Sequence, residues 1–173
     1  MKFYFWVGGR PNLKTKVDHK KQSGVESLIH FAAELNENDI MVFMIENGAD
    51  VNSKSFYGME TPIHRATAAG NQDMVRLLWG CGSEIDASRN DGETALMIAT
   101  KNCDTAMVYF LLRLGANFKV TKADGHSALD LAKMHGTNKI IETLTAREAG
   151  MEYPKIEEYV YFKPARPDEM NSV

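Results

Sequence analysis

The chain is 173 residues long, 44% hydrophobic and 25% charged, with a net charge of −3 at pH 7. These values exclude wholesale disorder, and the slight acidity favours neither nucleic acid nor an anionic membrane as a partner. The two cysteines, Cys81 and Cys103, form no C-x-x-C pair and suggest neither a metal clamp nor a disulfide framework, so both read as reduced thiols inside the cell.

In chain order, the first segment, KFYFWV at 2–7, is aromatic and β-branched enough for a short extended stretch. Its apolar run of about five residues falls short of the roughly 7–15 of a secretory signal. No run approaches the ~18 apolar residues of a membrane span, so a soluble protein of the cytoplasm, with the nucleus as a second compartment, is expected. Residues 14–21, KTKVDHKK, form a small basic cluster. It reads as a solvated lead-in, against a nuclear address or a phosphate contact.

Internal repetition dominates the middle of the chain. SLIHFAA from Ser27, TPIHRAT from Thr61, TALMIAT from Thr94 and SALDLAK from Ser127 superpose, their starts 34, 33 and 33 residues apart. Twenty-one residues after the first three starts come Gly48, Gly82 and Gly115. Each Ser or Thr is a preferred N-cap, because its oxygen accepts from an otherwise unpaired first-turn amide. Pro62 suits the first helical position, where its missing N–H is no loss. Small residues, Ala32, Ala66, Ala99 and Ala132, allow neighbouring first helices to approach closely. A second helix comes next in each unit, with apolar spacing as in Met74, Val75, Leu77 and Leu78, and a glycine ends it in a left-handed cap. Between units, DASRNDGET and KVTKADGHS read as tight polar turns, and YGMET, with one extra residue between its glycine and threonine, as a longer or bulged one.

This pattern resembles the ankyrin repeat, with its period of about 33 residues, Thr-Pro-Leu-His signature and Gly-Ala-Asp-x-Asn ending. The resemblance implies an all-α solenoid of about four helix-turn-helix repeats with projecting β-hairpin loops. It divides the chain into an extension or cap over 1–23, a repeat domain over 24–146 and a tail over 147–173. Met97 and Asp130, standing where the family carries histidine, mark weakened or terminal units. The fourth unit is expected to end at Leu144.

Candidate chemistry is sparse. His30 and His64 share one repeat position and, by the resemblance, are buried residues tying the helix start to the adjoining loop. His126 and His135 lack the further ligands that a metal site needs. No phosphate loop, zinc-protease motif or nucleophile elbow occurs. No catalytic residue, cofactor or small-molecule substrate is therefore expected. The resemblance implies instead a non-catalytic module, an adaptor, scaffold or inhibitor, that binds another protein through hairpin tips and the inner helix face. By register the tips offer Phe56, Tyr57, Glu60, Arg89, Asn90, Glu93, Lys122 and His126, and the helix face Lys101, Asn102, Met134 and His135. Phe56 and Tyr57 either meet a partner or fold down onto the first unit. Trp79 reads as core. The alternative role is a structural subunit held by its aromatic terminal segments, 2–7 and YVYFK at 159–163, against the simpler reading that these cover the end repeats.

Overall fold

A computed structural model describes residues 25–153, residue 136 apart. The terminal segments 2–7 and 159–163, the basic cluster at 14–21 and the proline-containing tail lie outside it. Among the described residues there are eight helices in four pairs: α1 (Val25–Glu34) with α2 (Asn38–Glu46), α3 (Pro62–Ala68) with α4 (Gln72–Gly80), α5 (Ala95–Lys101) with α6 (Thr105–Arg113), and α7 (Ala128–Met134) with α8 (Asn138–Glu148). The odd-numbered helices pack in sequence to form an inner row, and each is backed by its own even-numbered partner.

The local chemistry explains each boundary. Thr61 is extended at the start of α3, and its amide and hydroxyl both donate to His64 Nδ1, at 3.0 and 2.8 Å, closing a capping box. Ser127 and Asp130 build the same box at α7, the Ser127 amide donating to the carboxylate at 2.9 Å and the Asp130 amide to the hydroxyl at 3.3 Å. The outer helices α2, α4 and α6 end at Gly48, Gly82 and Gly115, all at φ near +90°, where a side chain would be strained.

A continuous core threads the pairs. Ala32, Ala66, Ala99 and Ala132 are all buried along the inner row, and Met41, Met74, Leu78, Met107, Leu111, Ile140 and Leu144 fill the space between rows. No pair could bury both of its helices alone, so stacking is what stabilises each one. Trp79 packs against this core.

Several features differ from the sequence expectation. Met97 does not weaken the third unit: its side chain is 1% exposed and every residue from Ala95 to Thr100 is buried, because a neighbouring helix covers α5 on either side. The hairpins are reduced to isolated bridges, Ser88 with Thr94 and Thr121 with Ser127. The second tip is longer, as its sequence implies, closing between Ser55 N and Glu60 O at 2.7 Å, one residue wider than the pairs Arg89 with Glu93 and Lys122 with His126. The extra residue, Met59, takes φ +56° directly after Gly58 at +83°. At the far end α8 runs past Leu144 to Glu148, and Tyr153 folds back on it. The Tyr153 hydroxyl donates to the Thr143 carbonyl at 2.9 Å and its ring meets Tyr109 edge-on with centroids 5.0 Å apart. An apolar side chain just beyond the last turn thus finds partners on α6 and α8, and packing continues where a tail is expected.

Candidate functional site

The tips stack on one another through their backbones. Asn90 N donates to Gly58 O at 3.0 Å, and Ala123 N to Asp91 O at 2.9 Å. Gly92 makes the second approach possible. Its φ is +81°, and a Cβ there would come within 3.0 Å of Ala123 N.

Below the tips, a cleft of about 330 Å³ opens between them and the inner helices α3 and α5. Its wall carries six side chains of alternating charge. Arg65 pairs with Glu34 at 3.3 Å and with Glu60 at 2.6 Å; Arg89 links Glu60, at 3.1 Å, to Glu93, at 2.9 Å; Lys101 meets the other Glu93 oxygen at 2.8 Å. Three acids and three bases balance, so the Glu93 carboxylate, 1% exposed, is compensated on both sides. The chain of pairs starts in α1, crosses two tips and ends in α5, fastening three repeats together.

His64 sits under this wall. Burial pushes its pKa below 6.5, the backbone carbonyls of Ala87 and Glu93 partly offset that effect, and the Arg89 charge adds to it. Because Nδ1 accepts from Thr61, the neutral ring carries its proton on Nε2. His30, one repeat earlier, reaches the second tip, its Nε2 lying 2.7 Å from the Glu60 carbonyl. Both histidines are buried; His64 closes the start of α3, and His30 reaches the second tip.

The twelve residues picked out by register divide into five groups. Glu60, Arg89, Glu93, Lys101 and Asn102 come together along the cleft, and Asn102 Nδ2 also donates to Ala68 O at 3.2 Å. Glu93 is there as a buried anchor, since both of its oxygens are taken by Arg89 and Lys101. Phe56 and Tyr57 project from the second tip at 77% and 84% exposure, stacked edge-to-face on each other with centroids 5.1 Å apart, and do not fold down onto the first unit. Asn90 is exposed on the third tip. Lys122 and His126 form a local cluster on the fourth tip, where Asp124 lies 3.2 Å from Lys122 and 3.0 Å from His126. Hydrogen bonds from the His126 amide and ring, and then from Lys122, bring the Asp124 pKa down to about 2. Met134 and His135 are exposed at the end of α7, where the inner row finishes.

Arg65 and Glu34 escaped the register reading, although they complete the chain of pairs. The available signal was the repeat itself: Glu34 occupies the position that Lys101 holds two units later, with the opposite charge. Among the described residues no group of three or more His, Cys, Asp or Glu side chains gathers as a metal site, and no helix is long and apolar enough to cross a membrane.

Four helix pairs in register, tips stacked along one edge and a cleft beneath them define a helical repeat solenoid, a scaffold that presents a surface. A family profile for ankyrin repeats in three copies matches residues 5–89 and 63–155, and the chain belongs to the ankyrin-repeat family. It is 30% identical to mouse (Mus musculus) Rabankyrin-5 over 138 residues, which cover 73% of this chain and 12% of that protein. It is also 30% identical to human (Homo sapiens) neurogenic locus notch homolog protein 2 over 126 residues, 72% of this chain and 5% of the other. Similarity to the zebrafish (Danio rerio) neurogenic locus notch homolog protein 1 is 32% over 108 residues, 62% and 4%. The chain thus spans 12% or less of each of these relatives. Ankyrin repeats generally mediate protein–protein interaction.

Proposed function

We propose that the chain is a non-catalytic adaptor, scaffold or inhibitor that grips one partner protein across the second and third tips and the cleft below them. The observation that carries this reading is the Phe56–Tyr57 pair. Two rings held together in water at the rim of a preorganised cleft lose apolar burial until something covers them. The cleft wall supports the reading because its charges are already paired and fixed, so a partner meets a rigid surface with little left to order. The rings then act as anchors, and Asn90 and the exposed edge of Lys101 supply polar contacts at the rim. The working site is the reducing interior of the cell, cytosol or nucleus, consistent with the free thiols of Cys81 and Cys103. Fractionation that placed the native protein in a secretory compartment would refute that location.

The test is affinity capture from source cells with the parent chain and with a Phe56→Ser, Tyr57→Ser double variant. Capture should fall to background while the thermal melt is unchanged. Undiminished capture by the variant would move the site away from the second tip.

A further inference from the structure

The cleft is widest at the second repeat for a reason of side-chain size. Ala68 and Ala69 line it and are exposed, whereas the same two register positions hold Glu34 and Leu35 one repeat earlier and Lys101 and Asn102 one repeat later. Two methyl groups thus stand between longer side chains on either side, which leaves a notch one repeat wide in the row of inner helices. The wall beside the notch has a direction. In the run Glu34, Arg65, Glu60, Arg89, Glu93, Lys101 the signs alternate, and each of the four inner groups pairs with both of its neighbours. Among the described residues the two end groups have one ion-pair partner each in this run, and they are its most open members, 44% exposed for Glu34 and 43% for Lys101. Charge cancels along the middle of such a run and persists at its ends, so the cleft is negative at its N-terminal side and positive at its C-terminal side. Glu34 on α1 and Lys101 on α5 lie two helices apart, about 20 Å at the ~10 Å spacing of packed helices.

We propose that the partner protein lays across this cleft a segment with three features in fixed order: a basic residue over Glu34, a tyrosine or tryptophan seated in the notch on Ala68 and Ala69, and an acidic residue over Lys101. The charges at the two ends of the wall decide the direction of the segment, because the reversed orientation would set like charges against each other at both ends. The notch decides the anchor. A space of about 330 Å³ with alanine methyls on one side and a polar wall on the other suits a ring that is apolar in its body and polar at its tip. Tyrosine and tryptophan are also the side chains that most often carry the energy of an interface when they fill a pocket. The four inner charges are already compensated within the wall, so the partner has only the two end charges to answer. The proposal rests on the partner-binding reading and narrows it: the exposed rings of the second tip add apolar contact, and the cleft selects what the partner must carry.

The test is selection of phage-displayed random peptides on the full chain. Peptides of about sixteen residues suffice, since ~20 Å is roughly six residues of extended chain or thirteen of helix. The selected sequences should share one aromatic residue with a basic residue on one side and an acidic residue on the other, always in the same order. For a synthetic peptide of that kind, Ala69→Trp fills the notch from an exposed position and should raise Kd about tenfold or more with the melt unchanged. Glu34→Lys should weaken binding severalfold, and exchanging the peptide's basic residue for glutamate should restore it on that variant while weakening it on the parent chain. Lys101→Gln, which keeps a hydrogen-bonding side chain beside Glu93, should weaken binding without unfolding the repeat. Selected sequences with no common order of charges would overturn the proposal, as would a chain that selects none. Binding that is lost in the Phe56→Ser, Tyr57→Ser variant but is untouched by Ala69→Trp and Glu34→Lys would overturn it and leave the second tip as the partner site. Indifference to all of these changes would remove both.

Discussion

The second and fourth repeats solve the same problem with different chemistry. Each needs a polar side chain three residues after its N-cap, and His64 and Asp130 both close a capping box there. Around His64 the charges reach across repeats, with Glu60 of one tip bound to Arg89 of the next and Glu93 to Lys101 on α5. Around Asp130 they stay local, with Lys122, Asp124 and His126 pairing inside one exposed tip. Pairs that span units, such as the half-buried Arg89–Glu60 pair, couple the units, whereas pairs confined to one tip do not. The second and third repeats should therefore open together, and the fourth, held by the apolar packing of Leu131, Ile140 and Leu144, should fray first.

The largest expected effect comes from breaking the coupling itself. Arg89→Met leaves the buried Glu93 carboxylate with Lys101 as its ion-pair partner and should cost about 3 kcal/mol in urea unfolding, with one cooperative transition splitting toward two. A cost below half of that would mean that the wall contributes no more than an ordinary surface pair.

Gly92→Ala strikes the backbone junction between the third and fourth tips. A methyl group at φ +81°, 3.0 Å from Ala123 N, should cost about 2 kcal/mol, and hydrogen exchange should rise at Ala123. A neutral effect would show that the tips can part without loss.

His64 supplies a pH test confined to the second repeat. Its folded pKa lies below 6.5, so under that pH the unfolded chain binds more protons and stability falls as the pH drops, by at most about 1.4 kcal/mol per pH unit. His64→Gln keeps a capping side chain and should flatten this slope between pH 7 and pH 5. An unchanged slope would assign the acid sensitivity to another group.

Ser127→Ala, at the start of α7, should cost about 1 kcal/mol, felt as earlier fraying of the last repeat instead of a shift in the main transition. The smallest change is expected for Lys122→Ala, whose ion pair is with the exposed Asp124 of its own tip; the melting temperature should stay within error. A clear drop there would erase the proposed difference between the two repeats.

Much of the architecture was legible in residue order because the determinants of a repeat unit are local. Thr61 with Pro62, the recurring alanines, and Gly48, Gly82 and Gly115 act on their own helix within a turn, so spacing alone exposes them. The extra residue of the second tip was legible for the same reason. Site residues were harder to read. Register placed Glu60, Arg89, Lys101 and Asn102 on one edge, yet it could not tell that Glu93, written like any surface acid, would be enclosed by two cations. Nor could it recruit Arg65 and Glu34, because an ion pair between residues 31 positions apart exists only once two helices are stacked.

The sequence by itself determined the period, the caps and the side of each helix that is apolar, since those depend on hydrogen bonds and side-chain periodicity over a few residues. Tertiary structure decided which polar groups were removed from water. Stacking made Met97 a core residue, turned Glu93 into a buried anchor, packed Tyr153 against Tyr109, and left Phe56, Tyr57, Leu28 and Phe31 exposed. Burial is a property of neighbours, and in a solenoid the neighbours come from the next repeat.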